Sequence, residues 1–189
     1  MDLGQLVDIS VPLTIVFALV VIALLYLWLR KQDAGTERMR EIAHFIQMGA
    51  NVFLRREFLT IAPFVVILAL LLLVTMPEGN WQIALGFVVG AALSMLAVYM
   101  GMNAATRANV RTTAAARSSA AQALLIAFRG GGIMGLSIVV LNLLGIFVLS
   151  LLFGVNPAHL ENVHLLVGFG FGASFSALFA QLGGGIFTK

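Results

Sequence analysis

The chain has no cysteine, and only 10% of its 189 residues are charged. The first absence excludes disulfides and thiolate metal sites. The second excludes an ordinary soluble domain, in which about a quarter of residues carry charge. Histidine is also scarce. His44, His159 and His164 are scattered, and the spacing of the last two does not set them on one helix face. They read as interfacial or loop residues, and no metal site is expected within the chain. What fills the sequence instead is apolar: 61% of it is hydrophobic. A chain of this size cannot hide that much apolar surface from water, so the class is integral membrane. A formal charge of +3 would suggest nucleic acid in a soluble protein. Here the bases lie between apolar runs, where membrane topology accounts for them, and nucleic acid is not an expected partner.

A bilayer core takes about 20 apolar residues per helix. Five runs qualify, at about 11–29, 58–76, 81–102, 131–153 and 163–181. The predicted fold is therefore an all-α membrane protein with about five transmembrane helices in one domain. MPEGNW (76–81) is a turn, because Pro77, Gly79 and Asn80 break the helical pattern. The first span is no cleavable signal by pattern: Asp2 and Asp8 make its flank acidic, and no small-x-small site follows.

The basic residues set an orientation. Arg30, Lys31, Arg38, Arg40, Arg55 and Arg56 lie in segment 30–57, Arg107, Arg111, Arg117 and Arg129 in 103–130, and Lys189 in 182–189. The amino-terminal tail, the 76–81 turn and the 154–163 loop hold none. These three basic segments are expected in the cytoplasm, with the amino terminus outside. In segment 30–57, Met39, Ile42, Ala43, Ile46, Gly49, Ala50 and Phe53 recur at helical spacing, which predicts an amphipathic helix feeding the second span. The alanine-rich stretch from Ala105, with Arg107 and Arg111 four apart, predicts a helix broken near Gly130 to Gly132. That basic stretch could lie on anionic lipid or pack under the bundle.

The first four spans are built of bulky residues and the fifth is not. Gly168, Gly172, Ser176 and Ala180 are each four apart, a groove for close approach of another helix. Ordinary helix contact carries most weight; a place beside a transport path is the functional reading. No charged residue lies inside any span, so the chain by itself shows no ion route. Asn142, in the fourth span, reads as an interhelical hydrogen bonder.

QLGGGIFTK (181–189) remains. A phosphate-binding P-loop would need G-x-x-x-x-G-K-[ST], and here the lysine follows threonine. A Rossmann fingerprint would need a preceding strand. A helix-ending glycine run would explain Gly183, Gly184 and Gly185 alone. GFGFGASFSALFAQLGGGIFTK closely resembles the fifth helix and following loop of membrane-bound, ion-pumping pyrophosphatases. GANVFLRREF, ANVRTTAAAR and AFRGGGIMGLSIVVLNLLGI resemble other parts of that family, so the likeness spans nearly the whole chain, weakest before residue 36.

The resemblance implies a homodimer of bundles of about sixteen helices in two rings. The first four spans here would be outer ring and the fifth inner ring. It implies hydrolysis of magnesium pyrophosphate coupled to H+ or Na+ export, with K+ as a candidate second cofactor. Lys189 matches the family lysine that contacts pyrophosphate. Gly183, Gly184 and Gly185 would bend the chain into the site. Gln181 stands in the ion-gate region where many members carry arginine. The family's Mg2+-binding carboxylates follow the lysine. The four inner acids present, Asp33, Glu37, Glu41 and Glu57, form no paired ligand pattern. The expectation is an amino-terminal fragment, inactive alone, of a prokaryotic plasma-membrane pump. One rival is a non-catalytic assembly or binding partner derived from the pump. The other is an unrelated five-span transporter, for which no inverted repeat is seen.

Overall fold

The computed structural model describes residues 3–77, 80–155 and 160–187, with side chains described over 9–77, 81–155 and 162–186. It is helical, with no strand among the described residues. Helix α1 is Leu3–Lys31, α2 Glu37–Thr75, α3 Asn80–Ala116, α4 Ala120–Leu152 and α5 Val167–Phe187; a short 3-10 turn at Leu160–Leu166 leads into α5. All five helices are long and apolar enough to cross a membrane. Side chains such as Phe17, Leu13 and Val74 stand exposed on their outer faces, as lipid-facing residues do.

Local chemistry explains the ends. Thr36 is extended, and its hydroxyl accepts from the Met39 N–H at 3.4 Å, opening α2. Before it, Gly35 takes φ 77°, a left-handed conformation that glycine adopts without strain, while the Asp33 carboxylate accepts its N–H at 2.9 Å. Ser119 caps α4 in the same way, accepting from Gln122 N–H at 3.3 Å. Gly154 at φ 66° ends α4, and Asn162 donates to the Phe153 carbonyl at 3.3 Å, tying the next segment back.

The helices are longer than the spans read from hydropathy. The 39 residues of α2 reach about 58 Å at ~1.5 Å per residue, nearly twice the hydrocarbon thickness of ~30 Å. The amphipathic stretch and the second span are one continuous helix. The expected break near Gly130 to Gly132 is not there: α4 runs through it, and the chain turns instead at 117–119. The cause is the extended Ser119 cap, together with the role of Gly130. A Cβ on Gly130 would come 2.6 Å from the Ala108 Cβ, so that glycine admits α3 rather than interrupting α4.

Helix α3 is the hub, packing on α2, α4 and α5, while α1 rests chiefly on α4 and touches α3 lightly. One apolar cluster joins Ile15, Ile22 and Leu29 of α1 to Ile126, Ile133 and Val140 of α4. Each set recurs every seven residues, the period of a left-handed helix seam. A second cluster sets Ile61 and Val65 of α2 against Phe87 of α3. A third gathers Ile83, Leu149 and Phe169 at the far end of the bundle.

Candidate functional site

The small residues of α5 do meet another helix, and the partner is α3. A Cβ on Gly168 would overlap the Ile83 carbonyl, and one on Gly172 would overlap the Phe87 carbonyl. The seam is reciprocal. A Cβ on Gly86 would lie 3.1 Å from the Phe169 nitrogen, and one on Gly90 would overlap the Phe169 carbonyl. Sequence reading missed the α3 half, although GFVVG (86–90) carries the G-x-x-x-G signal. Ser176, the third member of the α5 row, is 1% exposed, and its hydroxyl has no hydrogen-bond partner among the described residues.

Beyond that seam the helices part. A cleft of about 590 Å³ opens between α3, α4 and α5, with Ser94, Asn142, Ser174 and Gln181 as its polar lining and Ala180 beside them. Gln181 is thus brought into one space with Asn142. The expected interhelical bond of Asn142 is not seen: its side-chain amide donates to the Ile138 carbonyl of its own helix at 2.8 Å. The backbone carbonyl one turn earlier is simply the nearest acceptor.

At Gly183, Gly184 and Gly185, where a bend was expected, α5 continues as helix to Phe187. Glycine permits a bend without imposing one. Packing gives Gly183 a different use. A Cβ there would lie 2.6 Å from Glu57 Oε1 of α2 and 3.4 Å from the Phe53 ring. Both Glu57 carboxylate oxygens are buried without a hydrogen-bond partner among the described residues. Sequence reading placed Glu57 among the inner acids but had no signal that it meets α5. Lys189 lies outside the described residues.

Magnesium fits poorly with what is described. No group of three or more His, Asp or Glu residues lies together among the described residues.

The chain's likeness to known proteins is decisive. The family model described as Inorganic H+ pyrophosphatase matches residues 16–189. This chain belongs to that family. Among curated relatives, it is 49% identical over 159 residues to a K(+)-insensitive pyrophosphate-energized proton pump of Methanosarcina mazei, covering 84% of this chain and 22% of the relative. It is 45% identical over 174 residues to a putative K(+)-stimulated pyrophosphate-energized sodium pump of Clostridium tetani, covering 92% and 24%. It is 35% identical over 176 residues to a K(+)-stimulated pyrophosphate-energized sodium pump of Thermotoga maritima, covering 84% and 24%. The chain thus spans about a quarter of the length of the family members it matches. Those members differ in ion and in their response to K+, so membership settles neither property. Every helix of the bundle lies wholly or largely within the matched region, including the α3–α5 seam and the cleft.

Proposed function

We propose that this chain is the amino-terminal part of a homodimeric pump that couples hydrolysis of Mg-pyrophosphate to the export of H+ or Na+. The observation that carries the reading is the family match over residues 16–189 in a chain a quarter as long as the pumps it resembles. In this reading α5 is an inner-ring helix. The glycine seam sets it tightly against α3, and it leads towards Lys189, whose ammonium would stabilise pyrophosphate oxygens electrostatically. Helices α1 to α4 form part of the outer ring. The concentration of lysine and arginine at one end of the bundle supports placing that end in the cytoplasm, in a prokaryotic plasma membrane. In this reading the Mg2+ ligands lie outside residues 1–189, and residues 1–189 alone do not turn over pyrophosphate.

The test begins with the source DNA beyond the codon for Lys189. The complete reading frame is then placed in sealed vesicles, where phosphate release and uptake of H+ and of Na+ are followed with Mg2+, with and without K+. The expected result is phosphate release coupled to uptake of one ion. Lys189→Ala should lower turnover by about 10²-fold or more, the scale of losing one preorganised charge-stabilising donor. Residues 1–189 alone should release no phosphate. A complete frame that hydrolyses nothing would overturn the reading, as would turnover by the isolated chain.

A further inference from the structure

At the basic end of the bundle, α1 and α3 carry three arginines side by side. Arg107 Nε donates to Asn103 Oδ1 at 2.7 Å, and its guanidinium stands 5.9 Å from the centre of the Tyr26 ring. One turn further, Arg111 donates to the Arg107 carbonyl at 2.8 Å and reaches the Arg30 carbonyl at 3.5 Å. That last contact crosses from α3 to α1. The charges of Arg30 and Arg107 both bear on Arg111. No carboxylate neutralises them: among the described residues the ion pairs are Arg38 with Glu41 and Arg40 with Asp33, all four in segment 30–57. Arg111 Nε is moreover buried with no hydrogen-bond partner among the described residues. Three like charges held together at a membrane boundary repel one another unless an anion joins them.

Directly beneath them is an apolar groove. It has a volume of about 410 Å³ and runs between α1 and α3, with Leu19, Ile22, Ala23 and Met100 along it and Ile133 of α4 at its floor. Tyr26 and Asn103 belong both to this groove and to the arginine cluster. The groove exists because α1 leans on α4 and only lightly on α3. A polar, anion-seeking head above an apolar channel, sharing two residues, has the shape of one kind of ligand.

We propose that Arg30, Arg107 and Arg111 bind the phosphate of an anionic phospholipid whose acyl chain lies in the α1–α3 groove. Guanidinium suits the task, since its fixed fork of donors matches phosphate oxygens. Asn103 holds Arg107 in place, and Tyr26 covers its flat face. Basic pockets between transmembrane helices take such headgroups. Lipid bound here would fasten α1 to the hub helix where the two are least packed. This inference does not rest on the pump reading, because it uses only residues of this bundle.

The experiment is native mass spectrometry of the protein purified from its membrane in neutral detergent. The probes are phosphatidylglycerol, phosphatidylcholine and inorganic phosphate, each added alone. The expected result is retention of phosphatidylglycerol in clear preference to phosphatidylcholine. Arg107→Gln and Arg111→Gln should each weaken it by about fivefold. Arg38→Gln removes the same charge from segment 30–57 and should leave it unchanged. Arg111→Lys keeps the charge but loses the fork, and should weaken binding less than Arg111→Gln does, which separates lost electrostatics from lost fold. Ala23→Phe fills the groove without altering charge and should also weaken retention. Equal retention of the two lipids, or indifference to Arg107→Gln and Arg111→Gln, would overturn the proposal. So would loss of binding with the arginines but not with Ala23→Phe, combined with tight inorganic phosphate, since that pattern describes a free-phosphate site.

Discussion

Gly172 and Gly170 lie two residues apart on α5 and have opposite environments. A Cβ on Gly172 would overlap the Phe87 carbonyl, which is backbone and cannot swing aside, whereas one on Gly170 would meet nothing within 4 Å. Gly172→Ala must therefore push α5 away from α3, with an expected loss of about 1–3 kcal/mol. Gly170→Ala should instead hold or raise stability, by up to ~1 kcal/mol, because alanine is the better helix former. Thermal unfolding of both variants in one detergent checks the pair. Equal effects would mean that the seam does not set the distance between the helices. In the sequence Gly172 stands in the row of small residues four apart and Gly170 lies off it. What separates them is which face of α5 meets α3, and that follows from the packing of Gly86 and Gly90 on the other helix.

The same logic applies to a whole element in α4. Gly131 and Gly132 are helical, and a Cβ on either would meet nothing within 4 Å. Alanine at both positions should therefore stabilise the protein, by up to ~1 kcal/mol each. A helix broken at these glycines by left-handed backbone would respond in the opposite direction. Unfolding of the double variant Gly131→Ala, Gly132→Ala distinguishes the two, and a marked loss of stability would contradict a continuous α4. Three glycines in a row read as punctuation because glycine is usually found where chains turn. The actual stop, at 117–119, carries the weaker sequence mark of Ser118–Ser119, and its cap became visible only with the Ser119 hydroxyl on the Gln122 N–H. Helix α2 was easier to anticipate, since its amphipathic period and its apolar span follow without a break.

At the scale of the molecule, the absence of native cysteine makes topology directly measurable. Ser118→Cys and Pro77→Cys place single thiols at opposite ends of the bundle. In right-side-out vesicles an impermeant thiol reagent should label Pro77→Cys and spare Ser118→Cys. Opening the vesicles should then expose Ser118→Cys. The reverse pattern would overturn the orientation argued from the eleven basic residues, six of which precede α2's apolar half. Membrane class, number of spans and family were all legible in the chain. Each depends on composition, run length or local motif, which survive without knowing what touches what.

The sequence alone determined that this is a five-span helical membrane protein of the pyrophosphatase family, because hydrophobic run length must match the bilayer and because GGGIFTK and its companion motifs are local strings. Only the tertiary structure decided what those residues do. It paired the glycines of α5 with those of α3, turned Gly183 towards the buried carboxylate oxygens of Glu57, and kept α4 continuous through Gly130 to Gly132. It also gathered Arg30 with Arg107 and Arg111 across a gap of 81 residues between the bonded pair. The physical reason is that small residues and isolated charges acquire meaning from the surface facing them. That surface is supplied by helices distant in the chain, at a rotation and spacing that side-chain packing settles.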